Sequence, residues 1–217
     1  MKRRHFNALL PLALALGSFT LSAGARAQTP SPAILVVGDS LSAEYGIKRG
    51  SGWVALMQDK LKAAKRPELM VNAGISGDTT AGGRSRLPAL LKQHRPAIVI
   101  IELGGNDALR GMPLSSTKAN LVAMVQASKA AGARVLLVGM EMPPNYGPRY
   151  TQEFRELFVE VAQSEQTGLV PFLLAGVADR PDALTLFQND RIHPNEAAQP
   201  LLADNVWPAL QKLLPKR

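Results

Sequence analysis

An apolar run, Ala33 to Val37, stops abruptly in Gly38-Asp39-Ser40. A serine there can be a turn or cap residue, or a nucleophile presented at a sharp corner. Three other stretches carry the groups that a nucleophilic serine needs. Ile75-Ser76-Gly77-Asp78 and Gly104-Gly105-Asn106-Asp107 each follow a short apolar run, and Asp190-Arg191-Ile192-His193 lies near the C-terminus. Attack on an ester requires a base, a group that orients the base, and donors for the oxyanion. After residue 27 only two histidines remain. His94, in Lys92-Gln93-His94-Arg95-Pro96, reads as a surface cap, which leaves His193 as the base. Asp190 precedes it by three residues, a spacing that lets one turn of chain bring a carboxylate to the imidazole Nδ1. Pro194 biases His193 away from helical geometry.

For the oxyanion, Gly77 can offer a backbone N–H at close approach because it lacks a Cβ. Asn106 can offer its side-chain amide, and Ser40 its own N–H. Each has a plainer reading: Gly77 in a tight turn, Asn106-Asp107 as an Asx-turn. Asp39 and Asp107 are read as loop-holding acids, since neither is near the histidine in sequence. Arg84 and Arg86 read as a solvated helix face.

The elements that must position these residues alternate. Ala33–Val37, Leu69–Asn72, Ala97–Leu103, Arg134–Val138 and Leu169–Phe172 read as strands, the first and third as continuous apolar runs buried on both faces. Helices are expected over Trp53–Lys65, Thr79–Gln93, Thr117–Ala131 (closed by Gly132), Thr151–Glu165 and Asn195–Leu214, with Pro194 suited to the start of the last. This alternation predicts an α/β fold: a five-stranded parallel sheet between two helical layers. Ligands of such sheets bind beyond the carboxyl ends of the strands. Serine, glycine and asparagine each stand just past such an end.

The first residues read as a leader. Lys2, Arg3 and Arg4 form a positive n-region, Ala8–Leu16 an apolar h-region, and Ala25-Arg26-Ala27 a small-x-small cleavage pattern. Residues 1–27 are therefore expected to be a signal peptide and 28–217 the mature domain, periplasmic or secreted, without stable membrane insertion. Arg3-Arg4-His5-Phe6 fits a twin-arginine signal only in part, and the ordinary secretory route is favoured. Without the leader the chain has 21 basic and 17 acidic residues, a formal charge of +4. No run of five like charges occurs, so a nucleic-acid partner is not expected. There is no cysteine, which excludes disulfides and thiolate metal sites. With two histidines, a histidine-rich metal site is not expected either.

GDSLS, ISGDTT, GGND and DRIH together resemble, in order and spacing, the four blocks of the SGNH (GDSL) hydrolases, from about residue 33 to 213. The stretches Arg86–Leu91, Glu102–Asp107 and Pro144–Tyr150 are similar to the periplasmic thioesterase I, arylesterase and lysophospholipase group. The resemblance implies a flavodoxin-like sheet order, Ser40, Asp190 and His193 as catalytic residues, and Ser40, Gly77 and Asn106 as oxyanion donors. It also implies a small-molecule ester or thioester substrate with an acyl chain, no cofactor, no metal and a monomer. Met142, Pro144 and Tyr146, in the loop after the fourth strand, can line an acyl groove or merely connect elements. Leu109 and Met112 can border the chain or pack in the core. Glu44, close after the nucleophile, is expected to disfavour anionic substrates. Two alternatives stay open: a carbohydrate O-acetyl esterase of the same fold, and a non-catalytic binder of lipid or glycan. The strand-to-helix turn is neither GxGxxG nor a Walker loop, so a nucleotide-binding module is excluded.

Overall fold

The computed structural model describes residues 31–216, apart from the side chain of Pro144. The predicted leader and its cleavage site lie outside the described residues. Five parallel strands, β1 (Ala33–Gly38), β2 (Leu69–Asn72), β3 (Ile98–Glu102), β4 (Arg134–Val138) and β5 (Gly168–Val170), form one sheet in the order β2-β1-β3-β4-β5. This is the flavodoxin-like order, with its switch point between β1 and β3. Ile34 to Gly38 pair with Ile98 to Glu102 in register. The register brings Ser40 and the Gly104–Asp107 segment to the same edge.

Side chains alternate across the sheet. Leu35, Val37, Val99, Ile101, Val135 and Leu137 pack against α2 (Thr80–His94), α4 (Leu114–Ala130) and α5 (Pro148–Ser164). Ile34, Val36, Ile98, Ile100, Leu136 and Val138 pack against α1 (Trp53–Ala63) and α6 (Gln199–Leu213). Burying each such side chain contributes about 1.5–3 kcal/mol. The apolar β1 and β3 runs thus anchor the rigid centre from which the site's loops emerge.

Several boundaries differ from the sequence reading. A short helix, α3 (Gly105–Leu109), begins within the Gly-Gly-Asn-Asp stretch, where the glycines suggest only a turn. The structure starts α5 at Pro148, not Thr151, because Pro148 has the right φ for the first turn and Gly147 supplies the φ of +88° before it. The expected last helix divides into a 3-10 turn, Glu196–Ala198, and α6, and it is Pro200 that occupies the first turn. Pro194 instead forms an antiparallel bridge with Phe187. After β1 the chain enters a run of turns and reaches α1 only at Trp53, so Ser40 is not at a direct strand-to-helix corner.

Candidate active site

Asp39 and Ser40 leave β1 in a tight turn. The Leu41 N–H donates to Asp39 Oδ1 at 3.0 Å, and the Ala43 N–H to the Asp39 carbonyl at 2.9 Å. This turn sits on the carboxyl group of Glu102, the last residue of β3. Glu102 Oε2 accepts from the Asp39 N–H at 3.2 Å and from Ser42 Oγ at 2.7 Å. Glu102 is fully buried, and burial followed by the nearby Asp39 charge pushes its carboxyl well above the ordinary range. Burial raises Asp39 in the same way, to about 6. The lone acid ending the apolar run AIVIIEL is the sequence signal for Glu102.

His193 comes from a different part of the chain. The Gln188 N–H donates to the His193 carbonyl at 2.8 Å and the Asn195 N–H to the Leu186 carbonyl at 2.8 Å, closing the loop around the Phe187–Pro194 bridge. Inside it, Asp190 Oδ1 accepts the N–H groups of Ile192 and His193 at 2.9 and 3.0 Å. Asp190 Oδ2 meets His193 Nδ1 at 2.7 Å, and His193 Nε2 meets Ser40 Oγ at 2.9 Å. The hydrogen bond from the His193 N–H is the largest cause lowering the Asp190 carboxyl, to about 2. An ionised Asp190 fixes the proton on Nδ1 and leaves the Nε2 lone pair facing the hydroxyl. Tyr45 lies against the imidazole, with ring centroids 4.4 Å apart.

Asn106 stands in the first turn of α3, and its Nδ2 donates one hydrogen to Asp39 Oδ2 at 2.9 Å. The second amide hydrogen is left for another acceptor. Gly77 has a φ of +76°, a conformation that favours glycine. Among the described residues, the N–H groups of Ser40 and Gly77 have no acceptor. Asp107 turns the other way. Its carboxylate receives the Thr80 N–H at 2.9 Å and the Thr80 hydroxyl, which pins the start of α2.

A cavity of about 650 Å³ opens beside Ser40, Asn106 and His193. Leu109, Met140, Met142, Phe172, Leu174 and Leu184 supply much of its apolar wall. Met112 and Tyr146 do not line it; both are exposed, and Tyr146 stacks on Tyr150. Pro144 opens the 3-10 turn Pro144–Tyr146, and its side chain, with the expectation attached to it, lies outside the described residues. Phe172, Leu174, Leu184 and Ile192, by contrast, are wall residues that sequence reasoning missed, because they come from the irregular chain between β5 and α6. Glu44 borders a small pocket with Ser40, Tyr45 and His193, and its carboxylate accepts the N–H groups of Gly50 and Gly52 at 2.9 Å.

The other reading that changes is Arg86. It is not part of a solvated face. Its side chain is one-fifth exposed and reaches Asp78, Ala73 and Gly38. Arg84 is exposed and contacts Asn120. Among the described residues no group of three or more His, Asp or Glu side chains is placed to hold a metal ion, and no helix is long and apolar enough to cross a membrane.

The chain is 51% identical over 187 residues to the esterase TesA of Pseudomonas aeruginosa, covering 86% of this chain and 92% of that one. It is 43% identical to thioesterase 1/protease 1/lysophospholipase L1 of Escherichia coli, over 83% of this chain and 84% of that one. A crystal structure of TesA superposes with a TM-score of 0.81 at 52% identity, covering 84% of this chain and 99% of TesA. The psychrotrophic esterase EstA from Pseudoalteromonas, inhibited by monoethylphosphonate, gives 0.78 at 43% identity, over 83% and 97%. The model of the GDSL-like lipase/acylhydrolase family matches residues 36–200, most of the chain, and it is to this family of ester-hydrolysing enzymes that the chain belongs.

Proposed function

We propose that the chain is a serine hydrolase of carboxylic esters and thioesters that works through an acyl-enzyme on Ser40. The reading rests foremost on the continuous line from Ser40 Oγ through His193 to Asp190, with contacts of 2.9 and 2.7 Å. Ser40 Oγ attacks the substrate carbonyl as His193 Nε2 takes its proton. Asp190 stabilises the imidazolium and holds the ring. Negative charge on the former carbonyl oxygen is met by the Ser40 and Gly77 N–H groups and the free amide hydrogen of Asn106. Collapse of this intermediate expels the alcohol or thiol, which His193 protonates. Water then attacks the acyl-enzyme by the same steps, releasing the acid and restoring Ser40.

The apolar cavity beside Ser40 supports an acyl chain longer than acetyl as the bound group. It favours this reading over a sugar O-acetyl esterase, whose acyl group needs no such space. The names of the relatives, an esterase and a thioesterase/lysophospholipase, fit the same substrate class. The leader pattern supports export of residues 28–217 to the periplasm or beyond, which the mass of the protein recovered outside the cytoplasm tests. A mass starting elsewhere than Gln28 overturns the assigned cut.

The test is a chain-length series of p-nitrophenyl esters, acetate to palmitate, with protein starting at Gln28 and with Ser40→Ala in parallel. Turnover on medium or long chains, lost by about 10³-fold or more in Ser40→Ala, is the expected result. Activity confined to acetate favours deacetylation of a polar substrate. Near-normal turnover in Ser40→Ala removes Ser40 from the mechanism, and no turnover in either protein returns the binding-protein reading.

A further inference from the structure

Arg86 lies on α2, on neither of the chain segments that supply Ser40 and His193, yet its guanidinium reaches three separate stretches of backbone and side chain around the site. Nη2 donates to the carbonyl of Gly38 at 3.2 Å, two residues before Ser40. Nη1 donates to the carbonyl of Ala73, one residue past the end of β2, at 2.5 Å. Nε donates to Asp78 Oδ2 at 2.8 Å, one residue beyond Gly77. Asp78 and Arg86 side chains are 10% and 20% exposed, so this ion pair is shielded from bulk water and salt. The Gly77 segment has few other ties: the Ile75 N–H donates to the Gly38 carbonyl at 3.0 Å, the Asp78 N–H donates to the Ile75 carbonyl at 3.1 Å, and Arg110 Nη2 caps the Gly77 carbonyl from the exposed side at 2.8 Å.

We propose that Arg86 is a positioning residue that fixes the Gly77 N–H relative to Ser40. The proposal rests on the reading of Gly77 as an oxyanion donor. Three donors in one rigid plane tie the β1 end, the β2 end and the Gly77 loop into a fixed triangle. Without it the Gly77 turn keeps the Ile75 bond to Gly38 and the exposed Arg110 contact but loses the hold on Asp78, and the segment between Ile75 and the start of α2 can shift by an ångström or so. An error of that size at a donor costs on the order of 10²-fold in rate. Lysine delivers a single point charge, without the fork that reaches separate acceptors, and replaces the triangle only in part.

The experiment compares Arg86→Gln, Arg86→Lys and Asp78→Asn with the parent enzyme on p-nitrophenyl butyrate. Two competitive inhibitors are titrated beside it: an alkyl boronic acid, which forms a tetrahedral adduct on the serine, and the corresponding carboxylic acid. Expected are kcat reduced about 10–100-fold in Arg86→Gln with KM within threefold, a smaller loss in Arg86→Lys, and boronate affinity falling with kcat while carboxylic acid affinity holds. Asp78→Asn removes the charge of one arm at constant volume, and its smaller loss of kcat and boronate affinity tests the proposal even if Arg86→Gln does not fold. Turnover within twofold of the parent in Arg86→Gln and Asp78→Asn overturns the proposal. So does equal weakening of both inhibitors, the mark of a general loosening of the fold. Failure of the underlying reading looks different: Ser40→Ala keeps its activity, or boronate binds no better than the carboxylic acid in the parent enzyme.

Discussion

Asp39 and Asp190 each accept a hydrogen bond from a side chain of the proposed machinery, the first from Asn106 and the second from His193, and their surroundings are opposite. Asp39 is 3% exposed, and burial drives its carboxyl up to about 6. The Asp190 side chain is 36% exposed, and backbone N–H groups from its own loop draw its carboxyl down to about 2. The partners differ in the same way. Those of Asp190 lie two and three residues away, so the acid–base unit is a self-contained loop. The proposed oxyanion side is assembled from Glu102, Asn106 and Arg86, each more than forty residues from its partner at Gly38 or Asp39. One half of the site is therefore made by local chain geometry. The other exists only when the sheet is complete, and it contains carboxyl groups that resist ionisation.

The largest expected effect separates function from stability. Asp190→Asn is nearly isosteric and leaves the Oδ1 acceptor for the two N–H groups, but its amide cannot accept the Nδ1 proton. The wrong tautomer then faces Ser40, and kcat falls by about 10³–10⁴-fold. Because the loop is local and exposed, urea unfolding at pH 7 should show only a modest loss, that of the carboxylate's charge-assisted hydrogen bonds, with the fold intact. A loss of kcat below tenfold, or a collapse of the fold, breaks the contrast between the two halves.

The second effect is on stability and has a pH sign. Asp39 and Glu102 hold protons in the folded state after the unfolded chain has released them. Stability should therefore fall as pH rises from about 4 through about 6 for Asp39, by up to about 1.4 kcal/mol per pH unit, and Glu102, raised well above its ordinary value, adds a fall of the same sign. Asp190 works the other way: its contribution is present above its unfolded value of 3.8 and is lost as pH falls toward about 2. Glu102→Gln keeps an oxygen for the Asp39 N–H and the Ser42 hydroxyl and removes one ionisable group. Urea unfolding from pH 4 to 8 should show a flatter fall, with Glu102→Gln gaining on the parent as pH rises. A slope unchanged in Glu102→Gln would show that the buried pair contributes nothing to the pH dependence.

This contrast also governs what could be read from the chain. Asp190 and His193 were legible because their contact is encoded in a spacing of three residues. The strands were legible because β1 and β3 are apolar on both faces, and parallel order followed from the alternation with helices. Gly77 and Asn106 could be named, but not the bond between Asn106 and Asp39 that aims the amide. Arg86 was misread because its partners at 38, 73 and 78 come together only through sheet order, and surface arginines are the common case. Glu102 ended an apolar run without any local sign of Ser42 or Asp39 as partners. The cavity wall was half missed for a similar reason: the chain from Phe172 to Leu184 has no periodicity to reveal which side chains turn inward.

The smallest effect probes the loop that carries the proposed base. Arg191 has a φ of +57°, a left-handed conformation in which a Cβ crowds the backbone at a cost of about 1–2 kcal/mol. Its side chain is exposed and no partner holds it among the described residues. The strain is imposed by the backbone bonds on either side, Arg191 N–H to the Gln188 carbonyl at 2.9 Å and Ile192 N–H to Asp190 at 2.9 Å. Arg191→Gly relieves it, while the greater freedom of glycine in the unfolded chain takes back roughly 0.5–1 kcal/mol. The net expectation is a gain of about 0.5 kcal/mol in urea unfolding, with kcat on a neutral ester within twofold of the parent. A loss of stability would mean that the arginine side chain supports the loop after all. Arg191 also borders the cavity, so a loss of kcat without a loss of stability that Arg191→Ala does not share would mean that the loop's backbone strain is what keeps His193 against Ser40.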